Sequence, residues 1–218
     1  MGHDGGMSTP PGPRSIKIDD DERGAWTSDR PGRGGRPPRP MDVSVRSRTL
    51  APADRLRYSP GSLLVIVSAS PAAAARFAQG VLEDRSALFS MDKVRALLAG
   101  RVPEEEVEAR AAQLLDAAVA KRLEAGESVV VAAEGVALEA RERFVRMAAA
   151  AGRPRHLILL EIARDQVAEE DRAVLNELRR GLDAGELGNE GFQTALRLGG
   201  AAVSELKRIV FRPPPRDD

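Results

Sequence analysis

Five consecutive apolar residues, Leu63-Leu64-Val65-Ile66-Val67, constrain this chain more than any other feature in it. A strand with one wet face alternates apolar and polar side chains. An unbroken run of Leu, Val and Ile instead predicts a parallel strand covered on both faces by helices. Pro71 follows four residues later and predicts a helix, because proline is favoured at the first helical position; the Ala-rich stretch carries that helix to about Val81. The pattern then repeats. Ala87-Leu88-Phe89-Ser90 predicts a second strand, and Asp92 is placed to cap a short helix running through Leu98. Pro103 with Glu104, Glu105 and Glu106 predicts a helix start, since carboxylates offset the positive end of the helix dipole. Its apolar face reads Val107, Ala111, Leu114, Leu115, Ala118 and Leu123, and Gly126 ends it. Val129-Val130-Val131 predicts a strand, Leu138 to Ala151 a helix stopped by Gly152 and Pro154, and Leu157-Ile158-Leu159-Leu160 a further strand. A helix carrying Val174, Leu175, Leu178 and Leu182 comes next, and a last short strand falls at Arg208-Ile209-Val210-Phe211.

Strand and helix alternate four or five times, which specifies an α/β chain with a doubly wound parallel sheet and right-handed crossovers. Ligands in such sheets sit beyond the carboxyl ends of the strands, which here means just after Val67, Ser90, Val131 and Ile162. Aromatic residues make up only 3% of the chain, so its core must be built from Ala, Leu and Val. Acidic and basic side chains balance at 33 each, and no overall field draws the molecule to nucleic acid or membrane. The absence of cysteine excludes disulfides, thiolate metal sites and a cysteine nucleophile. His156 has no second histidine nearby except His3, so no histidine metal site is expected. The start of the chain has no apolar signal-peptide core. The longest apolar stretch, Leu63 to Ala75, is broken by Ser68, Ser70 and Pro71 and is too short for a bilayer. The expectation is a cytoplasmic protein without a membrane partner.

Residues 1–58 have a different composition: Pro-Pro-Gly-Pro at 10–13, the acidic cluster Asp19, Asp20, Asp21 and Glu22, and an Arg-Gly-Pro stretch over 30–39. So little apolar surface cannot offset the entropy of ordering the chain, and the segment reads as a disordered arm. The expected organisation is therefore an arm over 1–58, a domain over 59–213 and a tail over 214–218. Arg30, Arg33, Arg36 and Arg39 in the arm offer a contact for nucleic-acid phosphates, against the plainer reading of a solvated tail. Trp26 offers an anchor for a partner.

The order apolar strand, loop, helix, then a strand ending Phe89-Ser90-Met91-Asp92-Lys93-Val94-Arg95, resembles the 5′-polynucleotide kinase family of P-loop phosphotransferases (ATP-binding kinases of the AAA type). That family follows its first strand with a Gly-rich loop ending Gly-Lys-Ser/Thr, and its second with Ser-Ser-Asp and an Arg three residues on. Lys121-Arg122-Leu123-Glu124-Ala125-Gly126 before a Val-rich strand is similar to the family too, as are Leu178-Arg179-Arg180-Gly181-Leu182 and Glu190-Gly191-Phe192. The resemblance covers about residues 60–212 and implies a P-loop kinase-like three-layer sandwich. It further implies Asp92 as the base for an attacking hydroxyl, Arg95 as an acceptor-binding residue, and Arg172, Arg179 and Arg180 as a phosphate-clamping lid. Each has a plainer reading: a helix cap for Asp92, an ion pair for Arg95, and the polar face of an amphipathic helix for the other three.

The departures bear on function. In place of the Gly-rich loop the chain has Ser68-Ala69-Ser70-Pro71-Ala72-Ala73-Ala74-Ala75-Arg76. Glycines are needed there because successive N–H groups must point inward with φ values that a Cβ opposes. Aligned without gaps, Ala74 replaces the phosphate-binding Lys and Ala75 the Mg²⁺-binding hydroxyl, while Ala72 and Ala73 occupy the tight-turn positions. Ala132-Ala133-Glu134-Gly135 stands where the family has Asp-Ala-Thr-Asn. Ser68 and Ser70, with Arg76 one turn on, retain the means for a weak anion site at the start of the Pro71 helix. The expectation is a catalytically impaired relative of these kinases that binds no cofactor and serves binding or assembly with a protein partner. Two alternatives remain open: an active phosphotransferase using Mg-ATP through an unconventional loop, on polynucleotide 5′-ends or a small molecule, and a nucleic-acid binder working through the arginine-glycine arm.

Overall fold

The computed structural model describes Met1 and residues 47–213; the Arg30–Arg39 stretch, Trp26 and the tail at 214–218 lie outside the described residues. In chain order the elements are β1 (Arg48–Thr49), β2 (Arg55–Tyr58), β3 (Leu63–Val67), α1 (Pro71–Val81), β4 (Leu88–Phe89), α2 (Met91–Leu98), α3 (Glu104–Glu124) and β5 (Val129–Ala132). They continue with α4 (Glu139–Ala150), β6 (Arg155–Leu160), α5 (Glu169–Asp183), β7 (Thr194–Leu198), α6 (Ala201–Glu205) and β8 (Arg208–Phe211). Six strands form one parallel sheet in the order β1-β7-β6-β3-β5-β4. The apolar run that constrained the sequence is its central strand. All five residues of β3 are fully buried, because its two faces meet two different layers.

On one face Leu63, Val65 and Val67 join Val129, Val131, Leu157 and Leu159 beneath α2, α3, α4 and α5, which contribute Met91, Leu115, Leu123, Phe144, Leu178 and Leu182. On the other, Leu64 and Ile66 join Val130, Ile158 and Leu160 against Ala74, Ala78 and Val81 of α1. Leu56 and Tyr58 of β2 and Ile209 of β8 complete that second layer. The result is the expected α/β three-layer sandwich with a doubly wound parallel sheet. Its winding reverses about β3, with β5 and β4 to one side and β6 and β7 to the other.

Several expectations need correction. Composition assigned residues up to 58 to the arm, yet β1 pairs with β7 and β2 with β8 in parallel register. Arg55-Leu56-Arg57-Tyr58 alternates exposed and buried side chains, so a half-buried strand was written in a segment whose charge disguised it. Strand Thr194–Leu198, which lies between β1 and β6 in the sheet, was not anticipated. The expected closing strand at Arg208–Phe211 exists but lies outside the six-stranded sheet: it pairs with β2 in a two-stranded ribbon, and Ile209 makes a single bridge to Leu82. Helix α2 is capped by Ser90, not Asp92. In α3 the buried stripe is Ala111, Leu115, Val119 and Leu123, spaced by four residues, which leaves Leu114 about half exposed on its flank.

Candidate functional site

All six strands of the sheet run parallel, so every β→α loop emerges at one edge, and the site is built there. After β3 the chain uses only three loop residues. Ser68 Oγ accepts the Ser70 N–H at 3.2 Å, Ser70 Oγ accepts the Ala73 N–H at 3.3 Å, and the Ser70 carbonyl accepts the Ala74 N–H at 3.1 Å. Pro71 has no N–H, so most amide donors at the start of α1 are already absent or engaged. Among the described residues none but glycine has a left-handed φ, and this loop contains no glycine, so it lacks the alternation that turns successive N–H groups towards an anion. Ala74 is fully buried and Ala75 nearly so, both packed between α1 and the sheet; a lysine at 74 would start inside the core. Arg76 is exposed.

Pro71, Ala72 and Ala75 form one wall of a cleft of about 340 Å³ whose other walls are Ser90, Met91, Asp92, Arg95, Ala132 and Glu134. The structure thus brings Asp92 and Arg95 to the loop, as the sequence order implied. Asp92 lies in the first turn of α2, two residues past the Ser90 that caps it. Arg95 is bound by three carboxylates: Nε and Nη2 hold Glu108 at 2.9 and 2.7 Å, Nη1 meets Asp92 at 3.1 Å, and Nη2 also meets Glu134 at 2.5 Å. The Glu108 hydrogen bonds, with the Glu134 contact behind them, raise the guanidinium further above its ordinary value, and Arg95 in turn lowers the Glu108 carboxyl. Glu108 sits on α3, thirteen residues away, and no local signal in the sequence pairs it with Arg95. An arginine engaged this way carries no free donor fork for a phosphate, and its surroundings are net acidic.

The other half of the same edge is basic. A cleft of about 430 Å³ is lined by Arg164, Val167, Arg172, Leu175, Asn176, Arg179 and Arg197. Arg164 follows β6, Arg172 and Arg179 project from α5, and Arg197 belongs to β7. Glu161, at the end of β6 with only 13% of its side chain exposed, binds Arg179 Nε at 2.8 Å and Arg197 Nε at 2.7 Å. Burial pushes the Glu161 carboxyl up, but the two guanidiniums outweigh it and hold the group below its ordinary value. Arg172 pairs with Glu169, and its Nε is buried without a hydrogen-bond partner. Of the three arginines expected to form a lid, Arg172 and Arg179 line this one cleft. Arg180 instead lines a different cleft, between α4 and α5, with Leu138, Arg141 and Val174. Arg164 and Arg197 were not singled out in the sequence, because the turn after β6 and strand β7 were not placed.

His156 is buried away from either cleft. Its Nδ1 lies 2.8 Å from Thr194 Oγ1, and its ring stacks on Tyr58 at 4.5 Å between centroids. Burial, helped by neighbouring Arg155, pushes its pKa down to about 4. Among the described residues no group of three or more His, Asp or Glu side chains is placed to hold a metal ion, and no helix is long and apolar enough to cross a membrane.

Fold and edge together define an α/β three-layer sandwich whose strand-end edge carries an acidic cleft and an arginine-lined cleft. No family model matches the chain, and no curated protein does. A solved structure from Chloroflexus aurantiacus, described provisionally as a kinase, is similar over 65% of this chain and 85% of that one, at 15% identity and a TM-score of 0.41. A likeness of that size carries no argument about function.

Proposed function

We propose that this domain is a catalytically impaired kinase-like protein retained for binding or assembly. The reading rests on the start of α1: Pro71 and Ser70 close the helix three residues after β3 and leave neither glycines, nor a lysine, nor a run of free amides to grip a nucleotide. The opposite cleft wall supports it, since Arg95 is committed to Glu108, Asp92 and Glu134. Thermal melting with millimolar Mg-ATP tests the reading. A nucleotide that bound at 100 times its Kd would add about 2.7 kcal/mol of stability; this reading expects no such shift, and a clear one would overturn it.

A second reading has one observation in its favour: Asp92 lines the same cleft as Pro71 and Ala72, where a base for an attacking hydroxyl belongs. Phosphate transfer from Mg-ATP to 5′-hydroxyl oligonucleotides by the parent, abolished in Asp92→Asn, would establish that reading and end the first.

A further inference from the structure

Over residues 47–213 four large apolar side chains stay exposed, and two of them, Leu138 at 41% and Val174 at 39%, line the same groove between α4 and α5. The groove measures about 380 Å³. Buried Leu178 and Leu187 continue its apolar floor, and Gly181, in the last turn of α5, adds no side chain to fill it. Arg141 holds Glu190 through hydrogen bonds of 2.7 and 2.8 Å, so this pair is satisfied within the wall and calls for no ligand. The exposed charges on the rim are Glu177, Glu186 and Arg180, which leaves it net acidic. An apolar floor between helices with a charged rim suits a length of polypeptide.

The chain itself arrives at one end of this groove. Ser47 N–H donates to the Gly185 carbonyl at 3.0 Å, and a Cβ on Gly185 would stand 3.2 Å from the Ser47 carbonyl oxygen. Gly185 directly precedes Glu186 and Leu187 of the groove wall. Ser47 is buried, so the chain still lies against the domain at this point. The six residues before it read Met41-Asp42-Val43-Ser44-Val45-Arg46, with apolar and polar side chains in strict alternation. That period of two suits an extended segment covered on one face. Six extended residues reach roughly 20 Å, whereas the rise of α5 from Gly181 back to Val174 is roughly 10 Å, so the segment is long enough to pass from Leu187 to Leu138. Arg46 supplies a cation at the end of the groove where Glu186 stands.

We propose that this groove is the docking site of the chain's own Met41–Arg46 segment, with Met41, Val43 and Val45 set against Leu138, Val174, Leu178 and Leu187. The inference goes beyond the reading of the domain as a binding protein, and it stands whether or not the loop after β3 grips a nucleotide.

The test uses the full chain, which has no cysteine of its own. Val43→Cys combined with Val174→Cys, exposed to oxidised glutathione, should close an intramolecular disulfide about tenfold faster than Val43→Cys combined with Leu97→Cys, because docking raises the effective concentration of one thiol at the other. Leu97 is the matched control, an exposed leucine on α2. Thermal melting supplies a second readout. Val43→Asp carries a carboxylate into apolar contact and should lower the melting temperature by about 2–4 °C, while Ser44→Asp, on the opposite face of the segment, should leave it nearly unchanged. Equal closure rates in the two cysteine pairs, or a Val43→Asp chain that melts like the parent, overturns the proposal. Disulfide-linked dimers in place of the intramolecular product overturn it in favour of a second copy of the chain as the occupant.

Discussion

Arg95 holds Glu108 through two parallel hydrogen bonds, from Nε at 2.9 Å and from Nη2 at 2.7 Å, and so fastens the short helix α2 to the long helix α3. Eight residues are too few for a helix to persist by itself in water, so α2 depends on such attachments and on Met91 in the core. Lysine presents a point charge in place of a planar fork and cannot hold both carboxylate oxygens. Arg95→Lys is therefore expected to lower the melting temperature by a few degrees at most, with the difference shrinking as salt rises. The pH dependence has a definite sign. Arg95 holds the Glu108 carboxyl below its ordinary 4.5, so the attachment is intact above that pH and is lost as pH falls through the lowered value. Melts of parent and variant in low and high salt, from pH 7 to 3, check all three statements.

Ser90 and Asp92 give a second test. Ser90 Oγ accepts the Lys93 N–H, whereas Asp92 contributes charge near the helix start and a partner for Arg95. Ser90→Ala should cost roughly 0.5–2 kcal/mol, the usual loss for a cap. Asp92→Ala should cost less than Ser90→Ala, since it forfeits only exposed electrostatics. Denaturant melts of the two variants rank the residues directly, and a larger loss at Asp92 would return the cap to it.

His156 sets the behaviour in acid. In the unfolded chain an imidazole titrates near 6.5, but in the fold burial lowers this group to about 4. Between those values the unfolded state binds a proton that the native state refuses, so stability rises with pH across the window and falls away as pH drops from 6.5 towards 4. The full excursion is roughly 3 kcal/mol. His156→Phe keeps a ring against Tyr58 and removes the titration. Stability of parent minus variant should slope upward from pH 4 to 6.5 and level off above it; a flat difference would mean that the ring is already wet.

Where the domain begins is testable by truncation. Leu56 and Tyr58 are buried, and β2 is the strand that pairs with β8 along its whole length. Relative to a chain starting at residue 47, one starting at 59 loses both side chains and the ribbon. Each buried side chain of this size is worth about 1.5–3 kcal/mol, so the shorter chain should melt many degrees lower or fail to accumulate. Equal melting temperatures would place the boundary at 59 after all.

Much of the scaffold was legible because it is local. The run Leu63–Val67 and the Pro71 start gave β3 and α1 at the boundaries observed, and Pro103 with three glutamates gave the start of α3. Strands β1 and β2 were missed because their partners lie more than a hundred residues away, Arg48 against Thr194 and Arg55 against Arg208, and β7 because it is fixed by pairing with β6 across the intervening helix α5, His156 against Thr194. Within the site, the sequence order carried Asp92 and Arg95 to the loop after β3. It did not reveal that Glu108 and Glu134 converge on Arg95, nor that Glu161 gathers Arg179 and Arg197, because each of these pairs joins different elements of the fold. The choice of Asp92 over Ser90 as cap failed for a different reason: two good capping residues stand two positions apart, and the helix begins two residues earlier than an Asp92 cap implies.

The ribbon of β2 and β8 joins the two ends of the domain as parallel strands, Arg55 beside Arg208 and Tyr58 beside Phe211. A tug on the chain before β2 and another after β8 pulls these strands along their lengths in opposite directions. Once the two-residue β1 has peeled off, the load falls on all the ribbon's hydrogen bonds at once, as in shear, and not on one bond after another, as in a zipper. Drawn by its termini, the domain should yield in a single high-force event set by its unfolding rate. Drawn through a handle inserted in the β7–β8 connection, which opens the ribbon from one end, it should yield at far lower force.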